Sequence, residues 1–353
     1  MALALARRGL GRVSPNPMVG AVVVSPDGEI LSRGYHRRYG GLHAEREALK
    51  RLNWKAPGTT LYVNLEPCCH YGKTPPCTEA IIEAGVSRVV VGMVDPNPLV
   101  AGKGIDILRS AGIEVTVGVL EEECRHLNRA FVHFVTTGRP WVLVKWAQSL
   151  DGRIAVASGD SQWISCQEAL RFAHRLRAQA DAVLVGRGTV ERDDCQLTVR
   201  LVRGENPLRV VVDSRLSLSP ERKIFSSEVD TLLYTLVDDE EKIAPFRERG
   251  VEVVSLAGAG ERVPLTLVLD DLGRRGIANL LVEGGGSVIT SILREGLANE
   301  VAVVVAPLIL GKGVEAVGDL NVQKVAEGLK LSRVERRRFG ADLMFRGVVN
   351  YPR

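Results

Sequence analysis

"VNLEPCCHYGKTPPC", residues 63–77, decides how the first half of the chain is read. It opens as a short strand, predicted over 61–65, and ends where Cys77 begins the helical pattern "CTEAIIEAG". Upstream, "LHAERE" puts His43 and Glu45 at the start of a helix whose apolar face is Ala44, Ala48, Leu49 and Leu52. One strand end and two helix starts meet at one edge of an α/β sheet. A helix N-terminus favours thiolate over thiol, the form that binds zinc. His43, Cys68 and Cys77 supply three ligands and leave a fourth position for water, the arrangement of a catalytic zinc. Zinc lowers the pKa of such a water to about 7. Glu45 is too close to His43 to be a comfortable fourth ligand and is placed to carry protons between that water and a leaving amine.

Plainer readings compete with this one. A single histidine at a helix start is ordinarily a hydrogen-bonded surface residue, and Cys68 with Cys77 is open to reading as a disulfide. The ordered set His-Ala-Glu, Pro-Cys, Cys opposes the first. Six cysteines in a long chain without a secretory pattern oppose the second. Cys69 and His70 rival Cys68, since neighbouring side chains of an extended segment point to opposite faces. Cys68 is preferred because it follows Pro67, as the deaminase signature requires.

The 353 residues are enough for two domains, each with its own core. Hydrophobic residues at 45% and charged ones at 25% make a soluble globular composition. No apolar run approaches the ~18 residues that span a bilayer, and the first charges follow the apolar start instead of preceding it. A cytoplasmic enzyme without membrane partners is expected. A net charge of +4 suits phosphorylated small molecules, and with only 5% aromatics no nucleic-acid partner is expected.

Strand and helix patterns alternate from "MVGAVVVS" to "IEVTVGVL", and "FVTTGRP", 134–140, reads as a linker. A second series runs from "WVLVKWAQSLDG" through "ADAVLVG", "LRVVVDS" and "NLLVEGGG" to "EVAVVVAPLIL". The expected boundaries are 1–137 and 138–353.

At this point a family comes into view. "SPNPMVGAVVV", "GYHRRYGGLHAE", "VNLEPCCHYGKTPPCTEAIIEAGV" and "DPNPLVAGKGIDILRSAGIEV" resemble the bifunctional deaminase–reductase of bacterial riboflavin biosynthesis. The long insert between Cys68 and Cys77 separates it from cytidine and tRNA adenosine deaminases. The resemblance implies an N-terminal cytidine-deaminase-like three-layer α/β/α domain, with zinc on His43, Cys68 and Cys77 and Glu45 as proton shuttle. Its substrate is 2,5-diamino-6-(5-phosphoribosylamino)pyrimidin-4-one, deaminated at ring carbon 2. Asn16 is suited to read a pyrimidine edge, and His36, His70 and Lys73 to supply positive charge or donors to the ribosyl phosphate. Asp95 and Asn97 read equally well as an Asx-turn.

In the second half, "NLLVEGGGSVITSIL" runs a buried strand into Glu283 and three glycines, then a helix, a place where backbone N–H groups attract phosphate. "KWAQSLDGRIA", "SGDSQWIS" and "LRAQADAVLVGRGTVERDDCQLTVR" resemble the reductase half of the same family. The resemblance implies a dihydrofolate-reductase-like α/β domain using NADPH. It assigns the cofactor to Ala147, Trp163, Thr189, Asp193, Ser214, Gly285, Gly286, Ser287, Val288, Ile289, Thr290 and Ser291. It assigns the substrate to Ser161, Arg177, Leu197, Arg200 and Glu283. Hydride delivered to ribose C1′ would open the sugar to a ribityl chain, with cations holding the phosphate. Family members assemble through this domain, so a homodimer or higher homo-oligomer is expected. The chain also starts later than the family does, as a shortened N-terminus would. Two rival readings remain: a nucleoside or tRNA deaminase with an appended domain, and a non-catalytic zinc- and nucleotide-binding protein.

Overall fold

In the computed structural model, which describes residues 1–98 and 100–352, the valine-rich run Gly20–Val24 forms strand β1. It pairs antiparallel with β2 (Ile30–Tyr35) and β3 (Thr60–Val63). β4 (Arg88–Val91) and β5 (Glu114–Val117) continue from β3 in parallel, giving the order β2-β1-β3-β4-β5. The helices of this half are α1 (Ala2–Ala6), α2 (Ala44–Lys50), α3 (Cys77–Glu83), α4 (Lys103–Ser110), α5 (Glu121–Leu127) and α6 (Arg129–Thr137).

Two glycines show how the helices cover the sheet. A Cβ at Gly34 would lie 2.2 Å from the Ala44 carbonyl oxygen of α2, and one at Gly20 equally close to the Ala2 carbonyl of α1. Gly34 stands opposite Ala21 in the β1–β2 register, so Gly20, one residue back, faces the other side. The two helices therefore pack on opposite faces, which makes the α/β/α layering. β2 left little trace in the sequence because it is an edge strand that buries only Ser32 and Gly34. The segment expected as a linker is helical through Thr137. Gly138, at φ 72°, then closes α6 with its N–H on the Phe134 carbonyl, while the Thr136 and Thr137 hydroxyls bond back to His133. The Thr-Thr-Gly signal marks a helix C-terminus.

The chain divides into two units, Met1–Arg139 and Pro140–Arg353. In the second, the strands are β6 (Trp141–Gln148), β7 (Arg153–Val156), β8 (Ala182–Gly186), β9 (Leu208–Val212), β10 (Thr231–Thr235), β11 (Val251–Ser255), β12 (Asn279–Val282), β13 (Glu300–Val305), β14 (Gly313–Glu315), β15 (Lys330–Phe339) and β16 (Asp342–Asn350). The helices are α7 (Gln167–Arg177), α8 (Arg187–Asp193), α9 (Glu240–Arg247), α10 (Leu265–Arg274) and α11 (Gly286–Arg294). Nine strands form one sheet in the order β11-β10-β9-β8-β12-β6-β13-β16-β15, while β14 pairs with β7 alone. From β11 to β13 every pairing is parallel; β16 and β15 close the sheet antiparallel.

Alternate residues of the central strands enter different cores. Val183, Val185, Val211 and Leu281 join one cluster, and Ala182, Leu184, Val210 and Leu280 the other. Both faces are thus buried, which is why these strands read as continuous apolar runs. Because β6, β8, β9 and β12 are parallel, their C-terminal ends lie on one edge, where ligands of such sheets bind. No helix among the described residues is long and apolar enough to cross a membrane.

Candidate active sites

His43 is the N-cap residue of α2 and Cys77 the first residue of α3, while Cys68 lies just beyond β3, past the corner that Pro67 imposes. Their ligand atoms all lie within 4.8 Å of one another. The Cys68 and Cys77 sulfurs are each 3.4 Å from His43 Nδ1, and the Cys77 backbone N–H donates to Cys68 Sγ at 3.4 Å. Around a tetrahedral zinc, a sulfur at about 2.3 Å and a nitrogen at about 2.0 Å stand roughly 3.5 Å apart. The donor set and its spacing fit that ion.

The charges fit as well. The Cys68 thiol is held down to about 4, first because Cys77 donates to it and then through His43, against its burial. Cys77 is pushed up by its bond to Cys68 and by burial. Glu45 is buried on the first turn of α2, and its Oε2 has no hydrogen-bond partner among the described residues. Burial pushes its carboxyl up to about 7, with His43 opposing. A carboxyl poised near neutrality is what a proton shuttle needs.

His43, Glu45 and Cys68 line a cavity of about 240 Å³, and so do Asn16, His36, His70 and Lys73. Asn16 Nδ2 is 3.2 Å from His36 Nε2, while His36 Nδ1 is 3.0 Å from the Leu42 carbonyl. The Lys73 ammonium sits 4.0 Å from the centre of the Tyr39 ring. Asp95 and Asn97 form an Asx-turn, one of the two readings open from sequence, with Asn97 N–H donating to Asp95 Oδ1 at 2.8 Å, and both also line the cavity. Burial lifts Asp95 to about 6. Tyr39, Thr74, Glu66 and Phe131 complete the wall without having been singled out from sequence. Of these, Thr74 Oγ1 lies 3.4 Å from His43 Nε2, the ring nitrogen turned away from the sulfurs.

In the second unit, Glu283 follows β12 and receives a two-pronged ion pair from Arg177 at the end of α7, at 2.6 and 2.9 Å. Lys145, in β6, stands 4.0 Å from the same carboxylate. Burial raises Glu283, but Arg177 and then Lys145 outweigh it and hold the group at about 2. Lys145 is lowered by burial and by Arg177, with Glu283 opposing. A lysine inside the apolar run "WVLVKWAQ" was the available signal, and it went unread.

The Thr189 hydroxyl accepts from Gly285 N–H at 2.9 Å, joining the start of α8 to the glycine turn before α11. A Cβ at Gly286 would lie 2.4 Å from the Glu315 carbonyl, so that turn is closely covered. Ser161 donates to Asp193 at 3.4 Å. Arg177 Nη1 donates to the Thr198 carbonyl, and exposed Arg200 donates to Thr198 Oγ1 and Gln196. Leu197 is buried, at φ 54°, in the bend between them. Ala147, Thr189, Ser214 and Glu283 all fall on or just after the C-terminal ends of β6, β8, β9 and β12. Trp163 is 69% exposed on the segment after β7, and Ser214 Oγ accepts from Val263 N–H. Ser287 is exposed on α11, whereas Ile289 and Thr290 turn inward.

Comparison with known proteins bears on both units. A family model described as the RibD C-terminal domain matches residues 140–345. One described as the cytidine and deoxycytidylate deaminase zinc-binding region matches 1–93. The riboflavin biosynthesis protein RibD of Aquifex aeolicus is 45% identical over 98% of this chain and 95% of its own. A diaminohydroxyphosphoribosylaminopyrimidine deaminase/5-amino-6-(5-phosphoribosylamino)uracil reductase from Thermotoga maritima superposes with a TM-score of 0.85 at 39% identity, covering 99% of this chain and 97% of that one. RibD of Acinetobacter baumannii gives 0.88 at 38% identity with the same coverage. The fold class expected from sequence is the one observed: a cytidine-deaminase-like unit followed by a dihydrofolate-reductase-like one.

Proposed function

The chain belongs to the RibD family of riboflavin biosynthesis, and from that premise we propose that it carries out two consecutive steps on one phosphorylated pyrimidine. The first is hydrolytic deamination of 2,5-diamino-6-(5-phosphoribosylamino)pyrimidin-4(3H)-one to 5-amino-6-(5-phosphoribosylamino)uracil. The second is reduction of the ribosyl group to ribityl. The observation that carries the reading is the cluster of His43, Cys68 and Cys77 with a buried, unpartnered Glu45 oxygen beside it, in a chain that matches the family end to end.

His43, Cys68 and Cys77 hold zinc, which when bound makes water nucleophilic near neutral pH. Glu45 takes the proton from the attacking water and returns it to the departing amine; the new C–O bond replaces the C–N bond and ammonia leaves. Asn16 reads the pyrimidine edge, and His36, His70 and Lys73 hold the phosphate end.

In the second unit, Ala147, Trp163, Thr189, Asp193, Ser214 and the turn and helix from Gly285 to Ser291 hold the nicotinamide cofactor, NADPH. Ser161, Arg177, Leu197, Arg200 and Glu283 hold the substrate, so that hydride reaches ribose C1′. The exposed Arg200 fork suits the phosphate. The enzyme works in the cytoplasm as a homodimer or higher homo-oligomer joined through the reductase unit. Purified protein given the diaminopyrimidine phosphate and NADPH should release ammonia and consume NADPH. Ligand binding with one zinc per chain but no ammonia would leave a binding protein instead, and turnover of cytidine or tRNA would favour the other deaminase classes.

A further inference from the structure

Glu66 is buried three residues past β3, on the segment that delivers Cys68, and stands outside the His43, Cys68 and Cys77 cluster. Its carboxylate accepts four backbone N–H groups. Oε2 takes those of Asp95 at 3.1 Å and Gly102 at 2.9 Å, and Oε1 those of Gly104 at 2.9 Å and Ile105 at 3.3 Å. Its own N–H donates to the Met93 carbonyl. The first turn of a helix has N–H groups without partners inside the helix, and α4 finds two of them in this carboxylate. Gly102, at φ 88°, turns the chain into α4, and Gly104 lets the helix reach the metal segment, since a Cβ there would lie 2.2 Å from the Pro67 carbonyl oxygen.

One carboxylate, separated from Cys68 by Pro67 alone, thus fastens both ends of the segment that carries Asp95 and Asn97. Asp95 is held by its own N–H, and the entry to α4 by three more. Both residues line the cavity beside Cys68. We propose that Glu66 is a positioning residue of the deaminase site: it fixes the distance between the metal-bearing corner and the substrate-facing turn at Asp95–Asn97. The proposal rests on the deaminase reading above and adds to it the residue that holds two walls of the cavity in register.

Glu66→Gln keeps size and shape but turns an NH₂ toward two of the four donors. In the full-length, zinc-loaded protein it should raise KM for ammonia release by at least about tenfold, the scale of effect that a misplaced contact wall produces. Zinc should stay at one per chain, and reduction of pre-deaminated substrate should be unchanged. Hydrogen exchange at the Asp95, Gly102 and Gly104 amides should accelerate. Gly104→Ala, which keeps the carboxylate and pushes α4 off Pro67, should give the same rise in KM, and it decides the matter if Glu66→Gln does not fold. A lower melting temperature with KM unchanged per zinc-loaded chain would reduce Glu66 to a structural role and overturn the proposal; so would loss of zinc from either variant. If the wild-type protein itself releases no ammonia, the deaminase reading fails, and unaltered exchange at the three amides in Glu66→Gln would separately refute the clamp.

Discussion

Replacing Glu283 by glutamine isolates the polar centre of the second unit. Its side chain is 11% exposed and Arg177's is 13%, with Lys145 at 12% close by. Removing the one negative charge strands two buried cations, and breaking a buried pair in this way costs about 3–5 kcal/mol. The position of the carboxyl gives a second route to the magnitude. A fall from the ordinary 4.5 to about 2, at about 1.4 kcal/mol per pH unit, corresponds to roughly 3 kcal/mol. The two agree. Because the folded value lies below the unfolded one, this stability is complete above about pH 4.5 and is lost as pH falls toward 2. For a unit of this size the substitution should lower the melting temperature by about 6–20 °C at neutral pH. The acid side of the stability profile should flatten between pH 4.5 and 2. Arg177→Met added to Glu283→Gln removes one stranded cation and should recover part of the loss, although Arg177→Met alone destabilises. The assay is thermal unfolding across pH, with ammonia release as a control on the first unit. A Glu283→Gln protein that melts within about 2 °C of wild type and keeps its acid profile would refute the argument.

Glu45→Gln should abolish ammonia release while leaving NADPH oxidation with pre-deaminated substrate intact; equal loss of both would contradict independent sites. Chelation should remove one zinc per chain together with deamination but not reduction, read by metal analysis beside the two assays. His174 is buried and accepts the Arg200 N–H at Nδ1; burial, then Arg177 and Arg200, hold it down to about 4. Its neutral form therefore supports the fold above about pH 6.5, and that support is lost as pH falls toward 4; in His174→Gln this part of the unfolding profile should be flat. Gly34→Ala, whose Cβ meets the Ala44 carbonyl at 2.2 Å, should destabilise the first unit by about 1–3 kcal/mol in denaturant titration, and a neutral effect would mean that α2 moves away freely.

What the sequence disclosed and what it concealed follow from how locally each feature is encoded. The grouping of His43, Cys68 and Cys77 was legible because zinc chemistry restricts residue type and two of them sit at helix starts with the third on the segment leaving β3, so motif order points to one place. The parallel strands of the second unit were legible because burial on both faces leaves them almost wholly apolar. β2 and the long β15–β16 hairpin were not read. β15 is polar and exposed along nearly its whole length, so its place is set by pairing with β16 rather than by an apolar period.

The same distinction separates the residues that act from the residues that hold. Arg177 and Glu283 were read as separate substrate contacts, yet in the structure each neutralises the other across 106 positions of sequence, and Lys145 shares the site. Such pairing cannot be seen along the chain, because a buried charge is tolerable only through its partner and nothing near Glu283 in sequence names that partner. Glu66 makes the point from the other side. Close to Cys68 it looks like a strand-end carboxylate, while the four N–H groups that explain it lie about thirty to forty residues further on. A catalytic group is announced by its own chemistry. The group that positions it is announced only by the backbone it satisfies, and that backbone is assembled by the fold.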